Sequence, residues 1–339
     1  MTADWMGSDT RFHSIAGEDN RPLAATMLLE NTRWPGWHSG SRPQALLGQY
    51  RPRAAQISML ELPLTERLVF IEAPTGSGKT EAACIWADRL AAAGLVDGMY
   101  FAVPTRSAAT ELHSRIAGLM SRVHGSLAGR VVRAVPGMLD TDKPTGIWDE
   151  PSMPTWALGS TRKVMGAPVA VGTIDQALLS QLRTKHSWLR AWCLARQLLV
   201  IDEVHASDPY MSEIVARLVD EHLALGGYAL LMSATLGETS RAKIERRQRV
   251  EISNSTVRPY PQVSTLVRQI PVQTSGIRTT KIVIEDRVAT LLRARQAVAN
   301  DKAVLWMRST VGDGWKSISH SNRDLGRVPA CLHNKAGKR

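Results

Sequence analysis

The run Ala73-Pro-Thr-Gly-Ser-Gly-Lys-Thr80 carries the residue types that hold a triphosphate. Gly76 and Gly78 let the backbone curl until successive N–H groups, those of Thr75 and Ser77 among them, point at phosphate oxygens. A helix starting near Lys79 adds the positive end of its dipole. Lys79 then reaches the β- and γ-phosphates, and Thr80 ligates Mg²⁺. A second run, Asp202-Glu-Val-His205, follows 123 residues after Lys79 and directly after the apolar stretch LLVI. A carboxylate there can hold Mg²⁺ through water, and Glu203 can orient or deprotonate the attacking water. A carboxylate pair after a strand also serves as a helix cap. The weight therefore lies in the two runs together, with Lys79, Asp202, Glu203 and His205 as the catalytic set.

Smaller signals lie at the ends of other apolar runs. Ser233 and Thr235, in Ser-Ala-Thr, would hydrogen-bond His205 and sense the state of the nucleotide; the plain alternative is a cap on a helix starting near Glu238. Thr105 and Arg106, and likewise Gly172 and Thr173, offer small residues, hydroxyls and exposed N–H groups suited to a sugar–phosphate backbone. Ordinary turn chemistry with Thr as N-cap explains them as simply. Gln56, 23 residues before Lys79, would read adenine with its amide edge, or is a surface Gln.

Something must bring these loops together. Short continuous apolar runs at Leu68, Met99, Arg130, Pro168, Leu198 and Tyr228 alternate with helical stretches. That alternation predicts an α/β fold with a parallel sheet covered by helices on both faces. Right-handed crossovers then put the loop after every strand on one edge, where ligands bind. A further strand–helix–strand begins near Lys281, and the periodicity stops after Val311.

Composition bounds the rest. Of 339 residues, 44% are hydrophobic and 22% charged, which gives enough apolar side chain for a core and excludes wholesale disorder. Net charge is +11, favouring a polyanionic partner. The three cysteines are far apart and form no CxxC pair, so neither a zinc cage nor a disulfide framework is expected. No run of 18 apolar residues occurs and the first residues lack the pattern of a secretory signal, so no membrane partner and a cytoplasmic location are expected. The chain contains no His-Asp dipeptide, so an HD nuclease site is not expected within it.

APTGSGKT, PTR, GTIDQALLS, IDEVHASDPYMS and SAT, in that order, resemble a superfamily 2 helicase. The DEVH run followed by DPYMS is similar to the CRISPR-associated helicase–nuclease of type I interference systems. The resemblance implies RecA-like lobes, ATP and Mg²⁺ as cofactors, single-stranded DNA as the track, and recruitment by an RNA-guided surveillance complex. It implies that Lys79, Thr80, Asp202 and Glu203 bind MgATP and drive hydrolysis. His205, Ser233 and Thr235 would couple hydrolysis to movement, and Thr105, Arg106, Gly172 and Thr173 would line the DNA track. On this basis residues 1–15 resemble the end of a nuclease domain, with Asp4 at a metal-ligand position, and 16–55 form a leading linker. Residues 56–250 are the ATP-binding lobe, 251–280 a linker, 281–311 the start of a second lobe, and 312–339 an irregular basic tail that a frameshift would explain. The chain is thus expected to be a fragment that binds MgATP without unwinding DNA. Two rivals remain: a non-catalytic nucleic-acid-binding remnant, and a P-loop switch NTPase unrelated to nucleic acid.

Overall fold

Six apolar runs with so few polar interruptions need cover on both faces, and in the computed structural model they are the strands of one sheet. The structure describes residues 43–124, 131–136, 165–203, 209–234, 236, 238–247, 259–273 and 286–300. Strands β1 (Leu68–Glu72), β2 (Gly98–Val103), β3 (Val131–Ala134), β4 (Val169–Thr173), β5 (Gln197–Asp202) and β6 (Tyr228–Ser233) run parallel in the order β3-β4-β2-β5-β6-β1. Helices α1 (Ala54–Glu61), α2 (Lys79–Ala92), α3 (Arg106–His124), α4 (Ile174–Leu178), α5 (Ser187–Leu194), α6 (Pro209–Ala224) and α7 (Glu238–Arg247) lie between and around them.

Successive side chains of a strand point to opposite faces, and the core divides accordingly. Val69 and Ile71 of β1, with Phe101, Val171, Val200 and Leu230, pack under α2 and α3. Leu68 and Phe70, with Tyr100, Ala170, Leu199 and Leu231, pack under α4 to α7. This is the covered parallel sheet expected from the alternation, and the RecA-like lobe that the resemblance implied. Arg89 of α2 donates to the carbonyls of Met59 (2.6 Å) and Leu62 (2.7 Å), fastening the end of α1 to the helix that leaves the phosphate loop.

Two segments differ from the sequence expectation. Within the stretch read as a 251–280 linker, β7 (Gln262–Thr265) pairs antiparallel with β1, and β8 (Gln269–Pro271) pairs antiparallel with β7. The sheet is therefore mixed, with an antiparallel edge beyond β1. Within the leading segment, a 3-10 turn at Pro43–Leu47 buries Leu46 and Leu47 against α2 and α3.

Residues Met1–Ser275 form one compact unit and Gly276–Arg339 a second. The second contains helix α8 (Arg287–Ala299), capped by Asp286, whose carboxylate accepts the Ala289 N–H at 2.8 Å. The helix falls where the second strand–helix–strand was expected. Asp4, the strands expected on either side of α8, and the basic tail lie outside the described residues. Among the described residues no helix is long and apolar enough to cross a membrane.

Candidate nucleotide site at the sheet edge

Parallel register decides which loops meet. Glu72 of β1 is level with Ser233 of β6, and Asp202 of β5 is level with Met232 of the same strand. The phosphate loop and the carboxylate loop therefore leave one edge of the sheet on either side of β6. Two strand spacings separate them, about 10 Å.

The phosphate loop has the backbone its glycines foretell. Gly76 (φ 79°) and Gly78 (φ 90°) both occupy the left-handed region that side chains disfavour. Gly78 is the N-cap of α2. A Cβ on Gly78 would also come within 2.3 Å of Gln56 Nε2. Thr75 and Gly76 are exposed, Thr80 is buried, and the buried hydroxyl of Ser77 has no partner within the protein. Lys79 Nζ donates to the Ala73 carbonyl at 2.7 Å, so its ammonium lies back along the loop. The Ala73 N–H donates in turn to the Ser233 carbonyl at 3.2 Å, tying the loop's first residue to β6.

At the end of β5, Glu203 has φ 57°, which is costly for a residue with a Cβ, and its N–H is accepted by Asp202 Oδ1 at 3.1 Å. Both side chains are half-buried. Strain of this kind at a loop carboxylate is characteristic of functional positions. Ser233 is buried. His205 and Thr235 lie outside the described residues.

The donor set suits Mg²⁺. It offers a Thr hydroxyl and carboxylates, all hard oxygen ligands, and among the described residues no cluster of three or more His, Cys, Asp or Glu could form a cage. Mg²⁺ at phosphate sites uses one or two carboxylates, substrate oxygens and water, so no such cage is needed.

Gln56 is buried, and both ends of its amide are engaged: Oε1 accepts the Arg53 N–H at 2.8 Å, and Nε2 donates to the Gly78 carbonyl at 3.2 Å. Its visible work is to brace the loop. Sequence reasoning missed two arginines beside it. Arg53 Nη1 donates to the Gly76 carbonyl, and Arg115 of α3 pairs with Glu81, the residue after Thr80, at 2.6 Å. Tyr50, Arg53, Gln56, Gly78, Glu81 and Arg115 line a cleft of about 590 Å³ that opens on the loop. Nothing in the local sequence marked these arginines, because each acts from a different helix or turn.

The other strand ends differ. Gly172 and Thr173 are buried. A Cβ on Gly172 would meet the Tyr100 hydroxyl at 2.3 Å and the Ala134 carbonyl at 2.7 Å, and that hydroxyl donates to the Thr173 carbonyl at 3.1 Å. Burial pushes the Tyr100 hydroxyl well above its usual range. Thr105 accepts the Ala108 N–H at 3.2 Å, capping α3, whereas Arg106 is exposed. Neither Cys84 nor Cys193 is in a disulfide and both are buried; burial pushes both thiols up, Cys193 to about 12, which leaves neither reactive.

Residues 53–243 match the family model of the DEAD/DEAH box helicases. Over 293 residues the chain is 33% identical to the CRISPR-associated endonuclease/helicase Cas3 of Thermus thermophilus, covering 77% of this chain and 31% of that protein. It is 30% identical over 275 residues to the Cas3 of Escherichia coli, covering 71% and 30%. The crystal structure of T. fusca Cas3-ATP superposes with a TM-score of 0.67 at 26% identity, over 88% of this chain and 38% of that one. The chain spans about a third of the length of the curated relatives it matches.

Proposed function

The chain belongs to the DEAD/DEAH box helicase family of ATP-hydrolysing enzymes, and on that premise we propose that it binds MgATP between β1 and β5 and couples the nucleotide to single-stranded DNA in CRISPR interference. One observation carries the reading: the phosphate loop, Asp202-Glu203 and Ser233 emerge side by side on one edge of a parallel sheet. The likeness to CRISPR-associated Cas3 proteins supports CRISPR interference as the setting, and recruitment by an RNA-guided surveillance complex is part of the proposal.

In this proposal the N–H groups from Thr75 to Thr80 receive the phosphates, and Lys79 swings from the Ala73 carbonyl to the β- and γ-oxygens. Thr80 and Asp202 would hold Mg²⁺. Mg²⁺ held there would supply positive charge to offset the negative charge that develops during phosphoryl transfer. Glu203, its backbone already turned, orients or deprotonates the water that attacks the γ-phosphate. Gln56 and Arg53 hold the loop from the side of the cleft where the nucleoside lies. Ser233, with His205 and Thr235, relays the state of the nucleotide. Arg106 supplies a cation for the DNA backbone, and Thr105, Gly172 and Thr173 shape the edge beside it. An arginine brought from across an interlobe cleft accelerates phosphoryl transfer by about 10³–10⁵. We therefore assign binding, rather than fast turnover, to this lobe alone.

The test is a titration of single-stranded DNA with and without a non-hydrolysable ATP analogue, on this chain and on Lys79→Ala. An affinity that shifts with nucleotide in the parent and not in the variant is expected, because coupling between two ligands is reciprocal. Salt-sensitive DNA binding indifferent to nucleotide and to Lys79 would instead identify a non-catalytic remnant. Nucleotide binding with no DNA affinity would identify a switch NTPase.

A further inference from the structure

A buried charge network sits directly beneath the phosphate loop. Arg241 of α7 is 3% exposed, and its Nη1 bonds Glu72 Oε2 and Ser264 Oγ, each at 3.0 Å. Its Nε bonds Glu245 Oε1 at 2.6 Å, one helical turn along. Gln262 of β7 donates to the same Glu72 oxygen at 2.5 Å, and the guanidinium lies 4.4 Å from the centre of the Phe70 ring. One guanidinium thus joins β1, α7 and β7.

The elements it joins are those that carry the site. Glu72 immediately precedes Ala73, whose carbonyl holds Lys79 and whose N–H holds the Ser233 carbonyl. Helix α7 begins at Glu238, five residues after Ser233, so its placement is tied to the carboxyl end of β6. A buried charge resists losing its partners, and a planar fork holds them in fixed directions. Sliding α7 along β1 would break both contacts at once.

We propose that Arg241 is a positioning residue of the ATP site: by clamping Glu72 it fixes the spacing between the phosphate loop and the end of β6 at Ser233, and so sets how strongly the site prefers ATP to ADP. The inference rests on the MgATP reading above. The phosphates of ADP need the phosphate loop alone, whereas the γ-phosphate must also meet the neighbouring strand ends, so a change of spacing falls on ATP.

The test compares ATP and ADP affinities, by equilibrium titration with Mg²⁺, for the parent chain, Arg241→Met, Glu72→Gln and Glu245→Gln. Arg241→Met and Glu72→Gln are expected to lower the preference for ATP by about fivefold or more, leaving ADP affinity nearly unchanged. Glu245→Gln neutralises a partner of Arg241 within α7 and is expected to keep the parent preference, which separates positioning from a general loss of buried charge. Should Arg241→Met fail to fold, Glu72→Gln, which keeps its shape, decides the matter. A parent preference retained in the folded variants, an equal loss for both nucleotides, or a parent chain that holds ATP and ADP equally overturns the proposal. A parent chain that binds neither nucleotide refutes the MgATP reading itself.

Discussion

The two halves of the sheet's carboxyl edge use the same small and hydroxyl residues for different ends. On the β1–β6–β5 half, Gly76 and Gly78 turn a loop outward, Lys79 lies over it, and Glu203 holds a costly backbone angle. On the β2–β4 half, Gly172 is small because Tyr100 needs the space, Thr173 is buried, and Thr105 caps a helix. Of the four residues expected to line a DNA track, Thr105 and Arg106 are exposed and Gly172 and Thr173 are buried. Glycine and threonine at a strand end thus mark a turn that has to be built, while lysine, paired carboxylates and backbone strain mark chemistry.

Matched substitutions would break this contrast most sharply. Gly172→Ala forces a Cβ into the Tyr100 hydroxyl and the Ala134 carbonyl and is expected to cost about 1–3 kcal/mol of folding stability. ATP affinity of the folded variant should stay within about twofold, and thermal melts alongside titrations check both. Gly78→Ala should cost a similar amount, about 1–2 kcal/mol of backbone strain, but should also lower ATP affinity by about tenfold or more. A Gly172→Ala chain that melted normally but lost DNA affinity would return that half of the edge to the DNA track. Next in size, Thr105→Ala removes the cap of α3 and should cost about 1 kcal/mol in urea unfolding. Arg106→Ala should leave stability within about 0.5 kcal/mol and reduce the salt slope of DNA binding by about one.

The smallest effect concerns a histidine far from either half. His222 is buried, with Nε2 donating to the Gln197 and Tyr228 carbonyls at 3.1 Å, and burial lowers its pKa. The native state therefore keeps it neutral, while the unfolded chain takes up a proton near about pH 6.5. Its contribution to stability is full above that value and declines as pH falls below it. His222→Gln should flatten the pH dependence below about pH 6.5 in equilibrium unfolding.

Much of this was legible beforehand, for physical reasons. Parallel strands buried on both faces leave continuous apolar runs, so β1, β2, β4, β5 and β6 stood out. A glycine loop between a strand and a helix announced itself. Strands β7 and β8 did not, because Gln262, Ser264 and Thr265 read as a polar linker yet are buried, at 1%, 0% and 3% exposure. In part they are polar to serve Arg241 and Glu72, partners 23 and 190 residues away in the chain. Arg53 and Arg115 escaped notice for the same reason: nothing local distinguishes an arginine that reaches a distant loop. The packing role of Gly172 required knowing that Tyr100 lies on the next strand.

The central claim is that Lys79 and the loop around it grip a triphosphate. Equilibrium titration of the chain with ATP and Mg²⁺, repeated with Lys79→Ala, tests it most directly. Charge-assisted contacts to phosphate are worth about 1.5–3 kcal/mol, so the variant should bind about ten- to 150-fold more weakly while melting at the same temperature. Equal ATP affinity in the two proteins would contradict the account.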